Sequence, residues 1–447
     1  MFPYIPATDD DIKYMLEKIG FSSVEDLFTD IPEDLKLKDG LKLDPAKSQL
    51  EVEAIVSRLA NRNIDASKMP IFLGAGVYDH YIPAVVNHIS SRAEFYTAYT
   101  PYQPEISQGT LQAIFEYQSM ICELTDMDVA NASLYDGASA LAEAALMAVS
   151  VKKRPQVMAS SLINPESLTI LRTYLESQNI DLVLIPMDQG LTDADYIRDN
   201  ISEQTAAVII QSPNFIGYIE DLTQIEEYTH ENASLLVMSV DPISLGILKT
   251  PGQLGADIAV GEGQSLGNPM NFGGPHLGFM ACKNQFIRKM PGRIIGQTED
   301  KEGRRGFVST LQTREQHIRR EKATSNICSN QALNALAASV YLATLGKKGI
   351  KEVAEQSWHK AHYAMREITK SGHYSIVYDR PFFKEFPIKS NIDADKIEKS
   401  LLESGIIGGY KLKNSLPNLA NAILYCVTEK RSRQEIDRLV TVLEGLR

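Results

Sequence analysis

Seven short apolar runs separated by helix-length segments constrain the fold of this 447-residue chain more than any other feature. They fall at residues 129–134, 157–160, 182–186, 207–211, 235–240, 258–260 and 277–282. Each run is continuously apolar rather than alternating, so each strand must be buried on both faces. That pattern predicts a mostly parallel sheet covered by helices, with the intervening segments as helical crossovers.

The flanks have a different texture. Residues 1–69 read as a helical arm. Thr8 with Asp11 and Ser48 with Glu51 have capping-box spacing, each followed by a helix-period apolar pattern. Such an arm is expected to clamp a partner subunit or to pack on its own domain. Residues 70–335 form the expected α/β domain. Residues 336–447 read as a smaller α+β domain, with strands at 374–378 and 422–427 and helices near 393–404 and 431–445.

Composition narrows the function classes. The formal net charge of −12 argues against nucleic acid or anionic lipid as main partner. No apolar run approaches the roughly 20 residues of a membrane span. Met1-Phe2-Pro3-Tyr4 followed by Asp9-Asp10-Asp11 lacks the basic and apolar regions of a signal peptide. Cys122, Cys282, Cys328 and Cys426 form no C-x-x-C pair, which suits a reducing cytoplasm and predicts neither metal site nor disulfide framework.

Two features after the strands carry candidate chemistry. Gly137-Ala138-Ser139, preceded by Asp136, opens a small-residue helix after the first strand. Backbone N–H groups there can receive an anion, although Asp-Gly-x-Ser is also an ordinary turn and N-cap. Asp241 ends the fifth strand, where a carboxylate faces the ligand crevice of an open α/β sheet, although Asp241-Pro242 is equally a turn. This order resembles pyridoxal phosphate (PLP) transferases of the aminotransferase-like fold, fold type I. The resemblance implies the cofactor phosphate at 137–139 and its ring nitrogen on Asp241. It also implies a Schiff-base lysine after the next strand. Gln264 stands there, 23 residues beyond Asp241. A carboxamide nitrogen is no usable nucleophile, so Gln264 forms no aldimine. Lys249 and Lys283 are the nearest lysines and fit the position badly; the alternatives to a shared enzyme are a self-sufficient PLP enzyme using one of them and a non-catalytic assembly subunit. His276 follows a glycine pair and is a candidate acid/base group or a structural histidine. Arg293, Arg314, Arg319 and Arg320 are candidates for an anion-binding mouth or a solvated helix face.

Longer strings sharpen the resemblance. They are Tyr99-Thr100-Pro101-Tyr102-Gln103-Pro104-Glu105-Ile106-Ser107-Gln108-Gly109, Gln211-Ser212-Pro213-Asn214-Phe215-Ile216-Gly217, and residues 261–276, 290–296 and 313–329. Together they resemble the P-protein family of the glycine cleavage system, glycine dehydrogenase (decarboxylating). The match is to its N-terminal half, which many bacteria make as a separate alpha subunit, subunit 1. In that family the other half, or beta subunit, carries the lysine in a stretch reading roughly H-K-T-F-x-I-P-H-G-G-G-G-P. Laid on this chain without a gap, Pro269 and Gly273-Gly274-Pro275 fit that frame and the lysine falls on Gln264. The resemblance implies an enzyme that works with a beta subunit bearing the PLP lysine. The pair decarboxylates glycine and passes the aminomethyl group to the lipoyl arm of the H-protein, with the T- and L-proteins as indirect partners. It leaves His276, Arg293 and Arg314 as candidates for a shared active-site mouth, and Gly137, Ala138, Ser139 and Asp241 as vestigial cofactor contacts.

Overall fold

The structure is a computed structural model. It describes residues 4–65, 67–99, 102–271, 274, 276–311 and 316–446. Arg314, and Thr100, Pro101, Phe272, Gly273, Pro275, Thr313 and Glu315 of the strings above, lie outside the described residues. The chain forms two compact units, Met1–Ile64 and Asp65–Arg447.

The first unit carries two helices, α1 (Asp9–Ile19) and α2 (Gln49–Ala60), and both expected capping boxes form. Thr8 Oγ1 accepts from Asp11 N at 3.2 Å, and Asp11 accepts from Thr8 N at 2.8 Å. Ser48 and Glu51 repeat the reciprocal pair. Leu16 is the buried residue of this unit among those described.

The second unit is built on a seven-stranded sheet. Its strands are β1 (Val129–Ala130), β2 (Gln156–Ser160), β3 (Asp181–Ile185), β4 (Thr205–Ser212), β5 (Leu235–Val240), β6 (Ile258–Glu262) and β7 (Gly278–Cys282). The order is β1-β7-β6-β5-β4-β2-β3, and every pair is parallel except those made by β7. Each of the seven apolar runs therefore supplies a strand. The first is shorter than its run, because the chain leaves the ladder after Ala130 and returns only for a bridge between Leu134 and Gly278.

Successive side chains along these strands enter opposite cores, as the two-residue period of a strand requires. Val157, Ala159, Ile209, Val237 and Val260 pack under the alanine-rich helix Gly137–Lys152. Met158, Val208, Ile210, Leu236 and Met238 pack on the other face with Tyr117, Ala338 and Tyr341. Full burial of such a side chain contributes roughly 1.5–3 kcal/mol of transfer free energy. The edge strand β3 departs from the expected two-face burial: Ile185 is buried, but Leu182 and Val183 are only half-buried and Leu184 is exposed, because β3 has a neighbour on one side alone.

A 38-residue helix, Ala332–Thr369, crosses the expected 335/336 boundary and is broken at Gly346, whose φ of 58° and ψ of −174° are not helical. Its first part joins the core of the large sheet, and its last turns, through Ala361, Ala364 and Ile368, join the second core. That core lies on an antiparallel sheet in the order Tyr374–Ile376, Glu385–Ser390, Ala422–Cys426, Tyr410–Lys411. Helices Ala394–Glu403 and Arg433–Gly445 cover it. Strand Glu385–Ser390 was not foreseen. Pro387 sits in its middle and removes the donor that marks an interior strand.

Candidate functional site

The carboxyl ends of β4, β5 and β6 open into a crevice of about 540 Å³. Open α/β sheets place their ligand sites at such ends. The crevice is lined by Asp136–Ala138, Asp241, Glu262 and His276 from the large sheet, by residues 75–78, and by Lys384 and Glu385 at the start of the unforeseen strand.

Asp136 caps the helix Gly137–Lys152 by accepting from Ser139 N at 2.7 Å. The next free donor, Gly137 N, is taken by Glu262 Oε2 at 2.9 Å. Gly137 permits this approach, since a Cβ there would lie 2.9 Å from Glu262 N. The other oxygen of Glu262 accepts from Gln264 N at 2.9 Å and Leu277 N at 2.8 Å. His276 Nδ1 stands 3.4 Å from Glu262 Oε2. The hydrogen bond to Glu262 raises the His276 pKa above its ordinary 6.5, against the opposing effect of partial burial. The anion-binding terminus expected at residues 137–139 thus already holds a carboxylate.

Asp241 lies where the fifth strand ends, and its two oxygens face different partners. Its Oδ1 accepts from Ile243 N at 3.1 Å, closing the turn through Pro242. Its Oδ2 faces the crevice and pairs with Lys384 Nζ at 2.7 Å. The Lys384 side chain is 2% exposed and that of Asp241 11%. Lys384 Nζ also lies 2.9 Å from His80 Nε2 and 3.5 Å from the Tyr78 ring centroid. An ammonium only donates, so Nε2 of His80 accepts and its Nδ1–H points to Glu429 Oε2 at 2.6 Å. Lys384 is thus held by a carboxylate, an imidazole and an aromatic face. Beside it, buried Glu385 accepts from Ala75 N and from the Tyr78 hydroxyl, each at 2.7 Å. Burial raises the Glu385 pKa, and these two donors work against that shift.

Gln264 is buried just behind this wall and does not line the crevice. Its carboxamide is fully engaged: Oε1 accepts from Tyr78 N at 3.0 Å, and Nε2 donates to Tyr78 O at 3.2 Å and Asn268 O at 2.7 Å. The other expected residues do not converge here. Arg293 lines a separate recess of about 20 Å³, stacks 3.7 Å from the Tyr102 ring centroid and donates to Cys328 O at 3.3 Å. Lys249 is exposed. Lys283 pairs with Asp257 at 2.8 Å, at the opposite end of β6. Among the described residues no acidic, His and Cys cluster could hold a metal ion, and no helix is long and apolar enough to cross a membrane.

Sequence reasoning missed Glu262, Tyr78 and Lys384. Glu262 stood in plain view, one residue before the glycine that precedes Gln264. Lys384-Glu385, a charged pair inside the aromatic run Phe382-Phe383-Lys384-Glu385-Phe386, was the available signal for the third.

The chain matches the family model described as "Glycine cleavage system P-protein" over residues 3–443. It is 56% identical to the "Probable glycine dehydrogenase (decarboxylating) subunit 1" of Carboxydothermus hydrogenoformans, over 99% of both chains. It superposes on the crystal structure of glycine decarboxylase (P-protein) of the glycine cleavage system, in inhibitor-bound form, with a TM-score of 0.92. Identity there is 43%, and all of both chains is covered. A sphingosine-1-phosphate lyase from Burkholderia pseudomallei shares the fold at a TM-score of 0.67 and 15% identity, over 91% of this chain and 92% of that one. The architecture is that of PLP-dependent fold type I enzymes.

A bound PLP needs an amine for its aldehyde, a carboxylate for its ring nitrogen and free donors for its phosphate. In this crevice the carboxylate holds an ammonium and the helix terminus holds a carboxylate. The residues present do not fit the group.

Proposed function

The chain belongs to the P-protein family of the glycine cleavage system, and we propose that it works as the alpha subunit of a two-subunit glycine decarboxylase. Its partner is a beta subunit that carries the PLP lysine and the cofactor. The pair removes the carboxyl of glycine as carbon dioxide and hands the aminomethyl group to the lipoyl arm of the H-protein. The T- and L-proteins meet it only through that carrier. The observation that carries the reading is Gln264, a carboxamide at the position the family frame gives to lysine, with every polar atom of its amide engaged.

In this reading the chain contributes shape rather than the reacting amine. Gln264 clamps the Tyr78 backbone from both sides, and Tyr78 in turn holds Glu385 and lies against Lys384. His276, Arg293 and Arg314 remain the proposed contributors to the mouth shared with the partner. Another lysine on this chain is a poor substitute for the missing one. Among the described residues the lysine that lines the crevice is Lys384, and its ammonium is already committed to Asp241.

The test is reconstitution. The chain alone, supplied with PLP, lipoyl H-protein and glycine, should release no carbon dioxide above background, and adding the beta subunit should start turnover. Turnover by the chain alone would end the proposal.

A further inference from the structure

Replacing a Schiff-base lysine removes the covalent link to PLP and its amine, but not the contacts that hold the ring and the phosphate. A crevice that kept its ring and phosphate contacts would still bind the cofactor noncovalently, so Gln264 alone would not keep the cofactor out. The two poles of the crevice would. Asp241, which would meet a protonated ring nitrogen, holds the Lys384 ammonium at 2.7 Å. Gly137 N, the helix-terminal donor that would meet a phosphate, holds the Glu262 carboxylate at 2.9 Å. Each pole thus receives from the chain itself a group of the same charge as the cofactor end it would otherwise take.

We propose that Lys384 and Glu262 are internal stand-ins for the two charged ends of the cofactor, and that they exclude pyridoxal phosphate from this chain. The inference rests on the reading that the partner carries the cofactor lysine, and adds the specificity determinants that keep the cofactor off this half.

Both stand-ins are built in. Lys384 enters from just ahead of the second sheet, is buried, and is satisfied by Asp241, His80 and the Tyr78 ring. A ring that displaced it would leave a buried ammonium beside His80 without its carboxylate, a costly arrangement. Glu262 accepts from three backbone N–H groups, those of Gly137, Gln264 and Leu277. A phosphate at Gly137 would have to evict it and leave its other two donors unpaired, besides meeting the negative charges of Asp136 and Glu262 at close range. Lys384 also links the two sheets, since Asp241 directly follows strand Leu235–Val240 of the large sheet and Lys384 directly precedes strand Glu385–Ser390 of the small one. The pair therefore fixes the walls of the crevice as well as filling it.

The experiment is calorimetric titration of the full-length chain with 4-deoxypyridoxine 5-phosphate, which has a methyl in place of the aldehyde and condenses with no lysine. The wild-type chain is expected to give no saturable heat up to about 1 mM. The Lys384→Ala/Glu262→Ala chain, shown folded by its circular dichroism and melting curve, is expected to bind at least about tenfold below that ceiling. Saturable binding by the wild type overturns the proposal, as does a folded double variant that remains unable to bind. If the double variant does not fold, Lys384→Ala alone, which opens the ring pole, is judged by the same criterion; should it also not fold, the wild-type titration decides. Failure of the partner-lysine reading is distinguishable, because it shows as a pyridoxyl-lysine on this chain after borohydride reduction with PLP.

Discussion

Lys384 Nζ lies 2.7 Å from Asp241 Oδ2 in the crevice between the two sheets of the body, and both side chains are almost entirely removed from water. Breaking a buried ion pair by removing one partner typically costs about 3–5 kcal/mol, because the other charge is left uncompensated. Lys384→Met and Asp241→Asn should each lower stability by an amount of that order. The double variant should lose less than the sum of the two. A double-mutant cycle in urea measures the coupling, and simple additivity would show that the contact carries no energy.

Gln264→Lys supplies an amine but frees neither pole. With PLP the variant should show no visible aldimine band and no decarboxylation of glycine. The lysine also replaces a buried carboxamide that holds both backbone groups of Tyr78, so a lower melting temperature is expected. An active Gln264→Lys chain would mean that the amine was the only thing missing.

His276 gains its raised pKa from Glu262, with Asp136 and Glu166 adding smaller contributions of the same sign. A histidine that binds its proton more tightly in the folded state stabilises it fully below the unfolded pKa near 6.5. That contribution is lost as pH rises through the higher folded value. NMR titration of the imidazole should therefore give a midpoint above 6.5, and Glu262→Gln should bring it down.

Glu143 titrates with the opposite consequence. Burial in the helix Gly137–Lys152 raises its pKa from 4.5 to about 7, with a hydrogen bond from Ser325 opposing the shift. The folded state then holds this proton more tightly than the unfolded one. Stability should be greatest below pH 4.5 as far as this group is concerned, and should fall until about pH 7. Glu143→Gln should remove that dependence and stabilise the chain at pH 8 by roughly 2–3 kcal/mol. Melting curves at pH 5 and pH 8 test it, and an equal change at both would refute the assignment.

Much of this architecture was legible in the residues. The seven apolar runs became seven strands, six of them largely buried and the edge strand β3 only in part, and Thr8 with Asp11 capped its helix because the pairing is local. The crevice was only half legible. Asp241 and the 137–139 helix start were found from strand order, but what occupies them comes from far along the chain. Lys384 sits immediately before a strand concealed by Pro387. Glu262 passed unnoticed because nothing local says that its carboxylate turns back to Gly137. Gln264 was placed by its spacing, yet its contacts with Tyr78 depend on a segment nearly two hundred residues earlier. Long-range pairings of single polar groups leave no periodic trace, and they decide the chemistry here.

The most direct measurement is borohydride reduction of the reconstituted alpha–beta pair in the presence of PLP, followed by peptide mapping. The account predicts a pyridoxyl-lysine on the beta subunit and none on this chain. A modified lysine in this crevice, Lys384 above all, would contradict it.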